Sequence, residues 1–377
     1  MARKGENIYH RKDGRWEGRY IKGRKDGNKP VFGSVYGKSY SEAKKKLLPL
    51  KAMHCEQGRE AADTRPFREH LAAYLAQKQG SVKASSYDSY HRINKHILLG
   101  LGKVPMHRLT RQHVEQFLDD LRRGGLSDGT VLNIFRYLAG VTKRAAQSGA
   151  MAKDACAEIS LPKPKRKKVS ALSRAQQKTV ERAAMAAMNA GDFRHGLDVL
   201  IALNTGMRIG EICALRWEDI DLDRRVIHVN NTLQRLNLHG HEAKKKSKTA
   251  IVMDAPKSDC SQRDIPINTF LRKILRARRQ AAKGDFVIEG RRAHVEPRVL
   301  QYRFERLLER AGLPHVGYHA LRHSFATRCA ELRVDTVTIS RLLGHSSSKI
   351  TEETYIDTLM EQRFAAVRRL DKLALAA

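Results

Sequence analysis

Residues 161–168 read Leu-Pro-Lys-Pro-Lys-Arg-Lys-Lys, the clearest domain boundary in the chain. Pro162 and Pro164 break helix, and the crowded cations around them repel one another, which favours an extended linker. Separate domains are expected on either side. Its 377 residues suffice for two or three domains with sizeable cores.

Upstream of that break two kinds of patterning occur. Ile8-Tyr9, Trp16 to Ile21 and Val31 to Tyr36 are strand-like, with Asp13-Gly14 and Asp26-Gly27-Asn28 as turns. Ser39-Tyr40-Ser41-Glu42 has capping-box spacing and opens a helix through Lys44 to Leu48. Residues 1–55 therefore read as three strands and a helix, followed by a polar linker over residues 52–62. Residues 63–160 show helical periodicity. Phe67, Leu71, Tyr74 and Leu75 share one face, Ser85 or Ser86 can cap a helix through Ile97, and Thr110 and Ser127 can cap two more. Four amphipathic helices make a bundle.

Downstream, residues 169–377 predict a largely helical body holding one small antiparallel sheet. Trp217 to Leu222, Val226 to Val229, Ile251-Val252-Met253 and Arg263 to Ile267 are the strand-like runs. The fold class expected is multidomain and mainly α: a small three-stranded β plus helix module, a helical bundle, and a mixed α+β domain.

Composition narrows the partner. Formal net charge is +32, from 72 Lys+Arg against 40 Asp+Glu, which favours a polyanion, with nucleic acid ahead of an acidic membrane surface. Residues 161–168 can then follow a phosphate backbone, act as a basic targeting run, or simply be solvated. No long apolar span, signal-peptide pattern, GxGxxG or P-loop occurs. Five scattered cysteines argue against a disulfide framework or zinc finger and fit reduced intracellular thiols. His239-Gly240-His241 offers two loop histidines without a third ligand, so no metal site is expected.

The chemistry concentrates in the last domain. Thr205-Gly206-Met207-Arg208-Ile209-Gly210-Glu211 supplies one arginine, and His319-Ala320-Leu321-Arg322 places a histidine and an arginine on one helical face. Leu342-Leu343-Gly344-His345 supplies a second histidine, and Tyr355 lies ten residues after it. Two arginines, two histidines and a tyrosine in a cationic chain suit a phosphodiester. Breaking that bond without a metal needs a nucleophile, charge stabilisation at phosphorus, and a proton for the leaving oxygen. Guanidinium groups serve the second need, because they stay charged and donate in a fixed fork. Tyrosine serves the first where bond energy must be kept in a covalent intermediate.

As a set these residues resemble the tyrosine recombinases of the phage and conjugative-transposon integrase type. The eleven residues from Thr205 to Leu215 closely match that family's arginine box, and the histidine-to-tyrosine spacing matches as well. The resemblance spans roughly residues 64–360 and is looser at the N-terminus. It implies an arm-type DNA-binding domain at 1–55, a core-binding helical domain at 63–160 and a catalytic domain at 169–377. It implies that Tyr355 is the nucleophile, that Arg208 and Arg322 grip the phosphate, that His319 manages the tyrosine proton, and that His345 donates a hydrogen bond to the scissile phosphate. Lys257, nine residues before Pro266, fits the lysine that protonates the leaving oxygen, with Lys244, Lys245, Lys246 and Lys248 as competitors. Tyr318 is the rival nucleophile, and Glu211 reads as a buried orienting partner.

The implied activity is integration and excision of a mobile element through 3′-phosphotyrosine and a Holliday junction, with no cofactor. The implied partners are double-stranded DNA at core and arm sites, a homotetramer on synapsed DNA, and an accessory directionality factor. The implied setting is a bacterial nucleoid. A type IB topoisomerase-like strand transferase and a DNA-binding regulator on the same scaffold are the other readings. Phe364, Val367, Leu370 and Leu373 form an apolar stripe that either docks on a neighbouring protomer or folds back.

Overall fold

The structure, a computed structural model, describes residues 7–25, 29–60, 63–164, 171–189, 196–239, 248–254, 261–290, 293–345, 347 and 367–368. It divides into two compact units, Met1–Lys165 and Arg166–Ala377.

In the first unit, β1 (Ile8–His10), β2 (Trp16–Lys25) and β3 (Lys29–Gly37) form an antiparallel sheet in the order β1-β2-β3. Ile8 pairs with Gly18, and Gly18 with Val35. Strand alternation therefore sends Ile8, Trp16, Tyr20 and Val35 to one face, where they meet Ala43 and Leu47 of α1 (Tyr40–Glu60). Ser39 and Glu42 cap α1 as expected: Ser39 Oγ accepts from the Glu42 amide, and Glu42 accepts from the Lys38 amide at 2.8 Å. The helix runs on to Glu60, however, across most of the expected linker. The run from Lys51 is rich in good helix formers, and polarity alone was no reason to end it.

The four expected helices are α2 (Phe67–Lys78), α3 (Ala84–Leu101), α4 (Arg111–Arg123) and α5 (Asp128–Gln147). Thr110 and Ser127 cap α4 and α5 through their side chains. The α3 cap is Lys83, with Ser85 and Ser86 inside the helix. Phe67, Leu71, Ile97, Phe117, Ile134 and Leu138 meet in one core.

The second unit contains α6 (Arg174–Asn189), α7 (Leu197–Thr205) and α8 (Ile209–Ala214), then the strands β4 (Ile220–Asp221), β5 (Val226–Val229), β6 (Thr232–Asn237), β7 (Thr249–Asp254) and β8 (Arg263–Pro266). There follow α9 (Thr269–Ala281), β9 (Glu289–Gly290), β10 (Ala293–His294), α10 (Pro297–Arg310), α11 (His319–Glu331) and α12 (Thr336–Leu343). The strands make several small sheets where one was expected: β4-β5-β8, β6-β7 and β9-β10, all antiparallel. Trp217 to Asp219 is a 3-10 turn and not a strand, because the Asp219 carboxylate accepts the Arg216 amide at 3.0 Å and closes it. The apolar helix α7 is buried along most of its length and packs between α6 and α11. Among the described residues no helix is long and apolar enough to cross a membrane.

Candidate active site

The last turn of α12 is where the described candidate residues Arg208, His319, Arg322 and His345 meet. A helix ends with carbonyls that have no partner in the helix itself. Gly344, at φ +65°, turns the chain into the left-handed region, which glycine alone enters without a side-chain penalty. That turn lets His345 N–H donate to Ser340 O at 3.0 Å and Gly344 N–H donate to Arg341 O at 3.0 Å, the paired bonds of a Schellman ending. The next three carbonyls each take a different arginine. Arg263 Nε donates to Leu342 O at 2.6 Å, Arg322 Nη2 to Leu343 O at 2.6 Å, and Arg208 Nη2 to Gly344 O at 3.0 Å.

Each arginine comes from a different element. Arg208 directly precedes α8, whose first turn is closed by Glu211: the carboxylate accepts the Arg208 amide at 2.8 Å and Arg208 Nη1 at 2.8 Å. Arg322 lies on α11, buried, and its Nη1 donates to Gly206 O at 2.8 Å. Gly206 ends α7 at φ +66°, and a Cβ there would come within 2.5 Å of the Phe325 ring and 2.8 Å of Leu343. Glycine is thus required at 206 by backbone and by packing. Arg263 opens β8 opposite Val229 and forks onto Glu211 at 3.2 and 2.9 Å.

Electrostatics follow from this crowding. Burial alone would raise the Glu211 carboxyl, but the hydrogen bond and charge of Arg263, then the charge of Arg208, outweigh it and hold the group below its ordinary range. Burial, then His323, Arg322 and Arg208, hold His319 down at about 4. Burial, then Arg322, Arg208, His323 and Arg263, hold His345 at about 4. Both imidazoles are neutral at neutral pH. His319 stands edge-on to His323, ring centroids 4.8 Å apart. A cavity of about 230 Å³ opens beside them, lined by Met207, Ile209, Gln301, Tyr318, His319 and Arg322. A larger one, about 590 Å³ between α6 and α10, holds none of the candidate residues.

Arg208, His319, Arg322 and His345 are therefore brought together. Glu211 orients Arg208, as its place one turn into α8 suggested. Lys257 and Tyr355, with the competitors Lys244, Lys245 and Lys246, lie outside the described residues, as does the tail stripe apart from Val367. Tyr318 is poorly suited to attack: its hydroxyl donates to Asp198 at 3.0 Å in the core, and burial followed by the Asp198 charge pushes the phenol well above its ordinary value. Sequence reasoning missed two neighbours. His323 follows His319 by one helical turn, a spacing that could have flagged it. Arg263 gave no local signal, since its partners Glu211 and Leu342 are 52 and 79 residues away.

A second cationic surface lies on the sheet of the first unit. On the face away from α1, the buried carboxylate of Glu17 accepts from Ser34 Oγ at 2.7 Å, Arg19 Nε at 3.0 Å and Arg11 Nη1 at 2.8 Å, and these bonds hold it at about 2. Arg11 and Arg15 lie over the Tyr36 ring and Arg19 over Tyr9.

Comparison with known proteins bears on the family of the chain. Residues 66–122 match the SAM-like N-terminal domain of phage integrases. A tyrosine recombinase XerC-like protein of Caldanaerobacter subterraneus is 26% identical over 281 residues, covering 69% of this chain and 70% of the relative. The Tn1549 transposon integrase, solved with circular intermediate DNA, superposes with a TM-score of 0.66 at 22% identity, over 81% of this chain and all (100%) of that one. A lambda integrase from a tetramer bound to a Holliday junction superposes with a TM-score of 0.58 at 18% identity, over 91% and 96% of the two chains. These solved structures share the fold. Residues 173–362, which carry every candidate residue named here, match the Phage integrase family itself, and the chain belongs to that family, the tyrosine recombinases that cut and rejoin DNA.

Proposed function

We propose that the protein is a site-specific recombinase that integrates and excises a mobile DNA element. The observation that carries this reading is the convergence of Arg208, Arg322, His319 and His345 at the end of α12. Arg208 and Arg322 offset the charge that develops on phosphorus, and His345 donates to a phosphate oxygen. Tyr355 Oη attacks phosphorus, forming the 3′-phosphotyrosine bond as the bond from phosphorus to the 5′-oxygen breaks. Neutral His319 takes the tyrosine proton, and Lys257 gives one to the departing 5′-oxygen. The bond energy stays in the phosphotyrosine, so a 5′-hydroxyl from a second duplex can reverse the step and rejoin strands. Two such exchanges through a Holliday junction require four protomers, the assembly in which lambda integrase has been solved. The chain's domains are read as arm-binding at 1–55, core-binding at 63–160 and catalytic at 169–377.

The test uses labelled duplex taken from the genomic sequence flanking the coding region. Wild-type protein should leave a denaturation-resistant adduct mapping to Tyr355, and Tyr355→Phe should bind the same DNA without forming it. An adduct that survives in Tyr355→Phe rejects the assignment. Lys257→Ala should cleave slowly, with recovery on a 5′-bridging phosphorothiolate, whose sulfur leaves without a proton. Equal defects on both substrates would move the acid role to another lysine.

A further inference from the structure

We propose that Arg263 is a positioning residue of the phosphate site, matching the charge of Glu211 so that Arg208's own charge is left for the substrate, and fixing the backbone that carries His345. The inference rests on the recombinase reading above, which assigns Arg263 no role.

Arg263 has spent four of its five donors inside the protein. A guanidinium has five N–H donors. In Arg263 the Nε–H goes to Leu342 O, both Nη1 hydrogens go to Glu211 and Ser261 O, and one Nη2 hydrogen goes to Glu211. Its side chain is 6% exposed. Arg208 differs: among the described residues it spends one Nη1 hydrogen on Glu211 and one Nη2 hydrogen on Gly344 O, and its side chain is 37% exposed. Of the two, Arg208 keeps more donors and more exposure for a substrate.

What Arg263 supplies is charge balance. Glu211 is buried and ionised between two arginines. With both present the group Arg208–Glu211–Arg263 carries one net positive charge, and Arg208 is its only exposed member. Without Arg263, Arg208 and Glu211 would form a neutral pair, and Arg208 would face the phosphate with its charge already matched. The same loss would leave Leu342 O without its arginine, three residues before His345. A buried acceptor stripped of its donor is costly and loosens the turn that holds it.

The experiment compares Arg263→Met, Arg263→Lys and the double variant Arg263→Met/Glu211→Gln with wild type, by single-turnover adduct formation on the flanking duplex described above. Arg263→Met should bind that duplex normally and cleave roughly 10- to 100-fold more slowly, the range for partners that orient a ligating group. Adding Glu211→Gln removes the unmatched negative charge and should restore cleavage by on the order of tenfold, because Arg208 regains its field. Arg263→Lys keeps the charge without the fork and should fall between. A merely structural arginine would give the opposite result, the double variant being worse than the single one.

Histidine-resolved NMR titration gives a readout that needs no cleavage. His345 should titrate higher in Arg263→Met than in wild type, and near wild type in Arg263→Lys. Absence of any wild-type adduct on the flanking duplex would count against the recombinase reading, while the titration would still decide on Arg263. The proposal is overturned by an unmoved His345 titration, by wild-type cleavage rates in Arg263→Met, or by a double variant that cleaves no faster than the single one.

Discussion

On the N-terminal sheet, arginines lie on the surface. Arg19 is 53% exposed, rests over Tyr9 and shares the single carboxylate of Glu17 with Arg11 and Ser34. At the end of α12, the side chains of Arg322 and Arg263 are buried, Arg322 fixed by the carbonyls of Gly206 and Leu343 and Arg263 by that of Leu342 and the carboxylate of Glu211. Both regions are rich in arginine, but only in the second are the guanidiniums buried and held by backbone carbonyls. An exposed arginine over a ring can shift with little loss, which suits contact with an irregular partner surface. A guanidinium bound by two carbonyls has one orientation, which suits charge placed where it must develop in a transition state. One residue type thus does two jobs, and burial decides which.

The sharpest way to break this contrast is to make the same conservative change in both places. Arg322→Lys keeps the charge but cannot bridge Gly206 O and Leu343 O, so cleavage should fall by roughly 10²- to 10³-fold, the range for losing one preorganised donor. Adduct yield, with a melting curve as the control for folding, measures it. A loss of less than tenfold would mean that orientation at Arg322 matters little.

Acid separates the regions next. The histidines at the α12 end have folded values of about 4 against about 6.5 in an unfolded chain, so between those values the unfolded chain binds more protons. Their contribution to stability is complete above pH 6.5 and is lost as pH falls toward 4. Glu17, held at about 2, keeps its charge throughout that window and starts to lose its contribution only below its ordinary value of 4.5. Melting of the full chain from pH 7 to pH 5 should therefore weaken the second unit first, and His319→Gln with His345→Gln should flatten the dependence. Amide exchange resolved by region would reveal an N-terminal sheet that fails first and so contradict this ordering.

The smallest effect belongs to Arg19→Lys. On the proposed arm-binding role of residues 1–55, affinity for element-end DNA should change less than about fivefold, in keeping with the modest worth of exposed ion pairs. Gel-shift titrations of full-length protein on element-end DNA measure it, and a hundredfold loss would show that this sheet is as orientation-dependent as the buried site.

How much of this was legible beforehand depended on distance along the chain. Helix α4 could be read because Thr110 caps it three residues from its partner His113, and Glu211 because it sits one turn from Arg208. His319 and Arg322 share a face by spacing alone. The 3-10 turn at Trp217 escaped because apolar strand-like residues hid a capping aspartate, and β6 escaped because its pairing with β7 spans a basic excursion. Arg263 escaped for the most general reason. In a local window it is one more basic residue at a strand start, and only the folded chain delivers Glu211 and Leu342 to it. The convergence on α12 thus joins four residues that the motifs had already grouped to one, Arg263, that no motif pointed to.

The three carbonyls at the end of α12 also bear on what the site ignores. A cell is full of small anions, and an open pair of guanidiniums would be occupied by them most of the time. Here Arg208 and Arg322 each have carbonyl partners within the chain. A lone inorganic phosphate has to compete with those oxygens and shed its own strongly bound water for few new contacts. A phosphodiester in a duplex arrives anchored by the rest of the DNA, so it needs only the donors that remain. The end of one short helix thus sets which guanidinium N–H groups are left over for a phosphodiester.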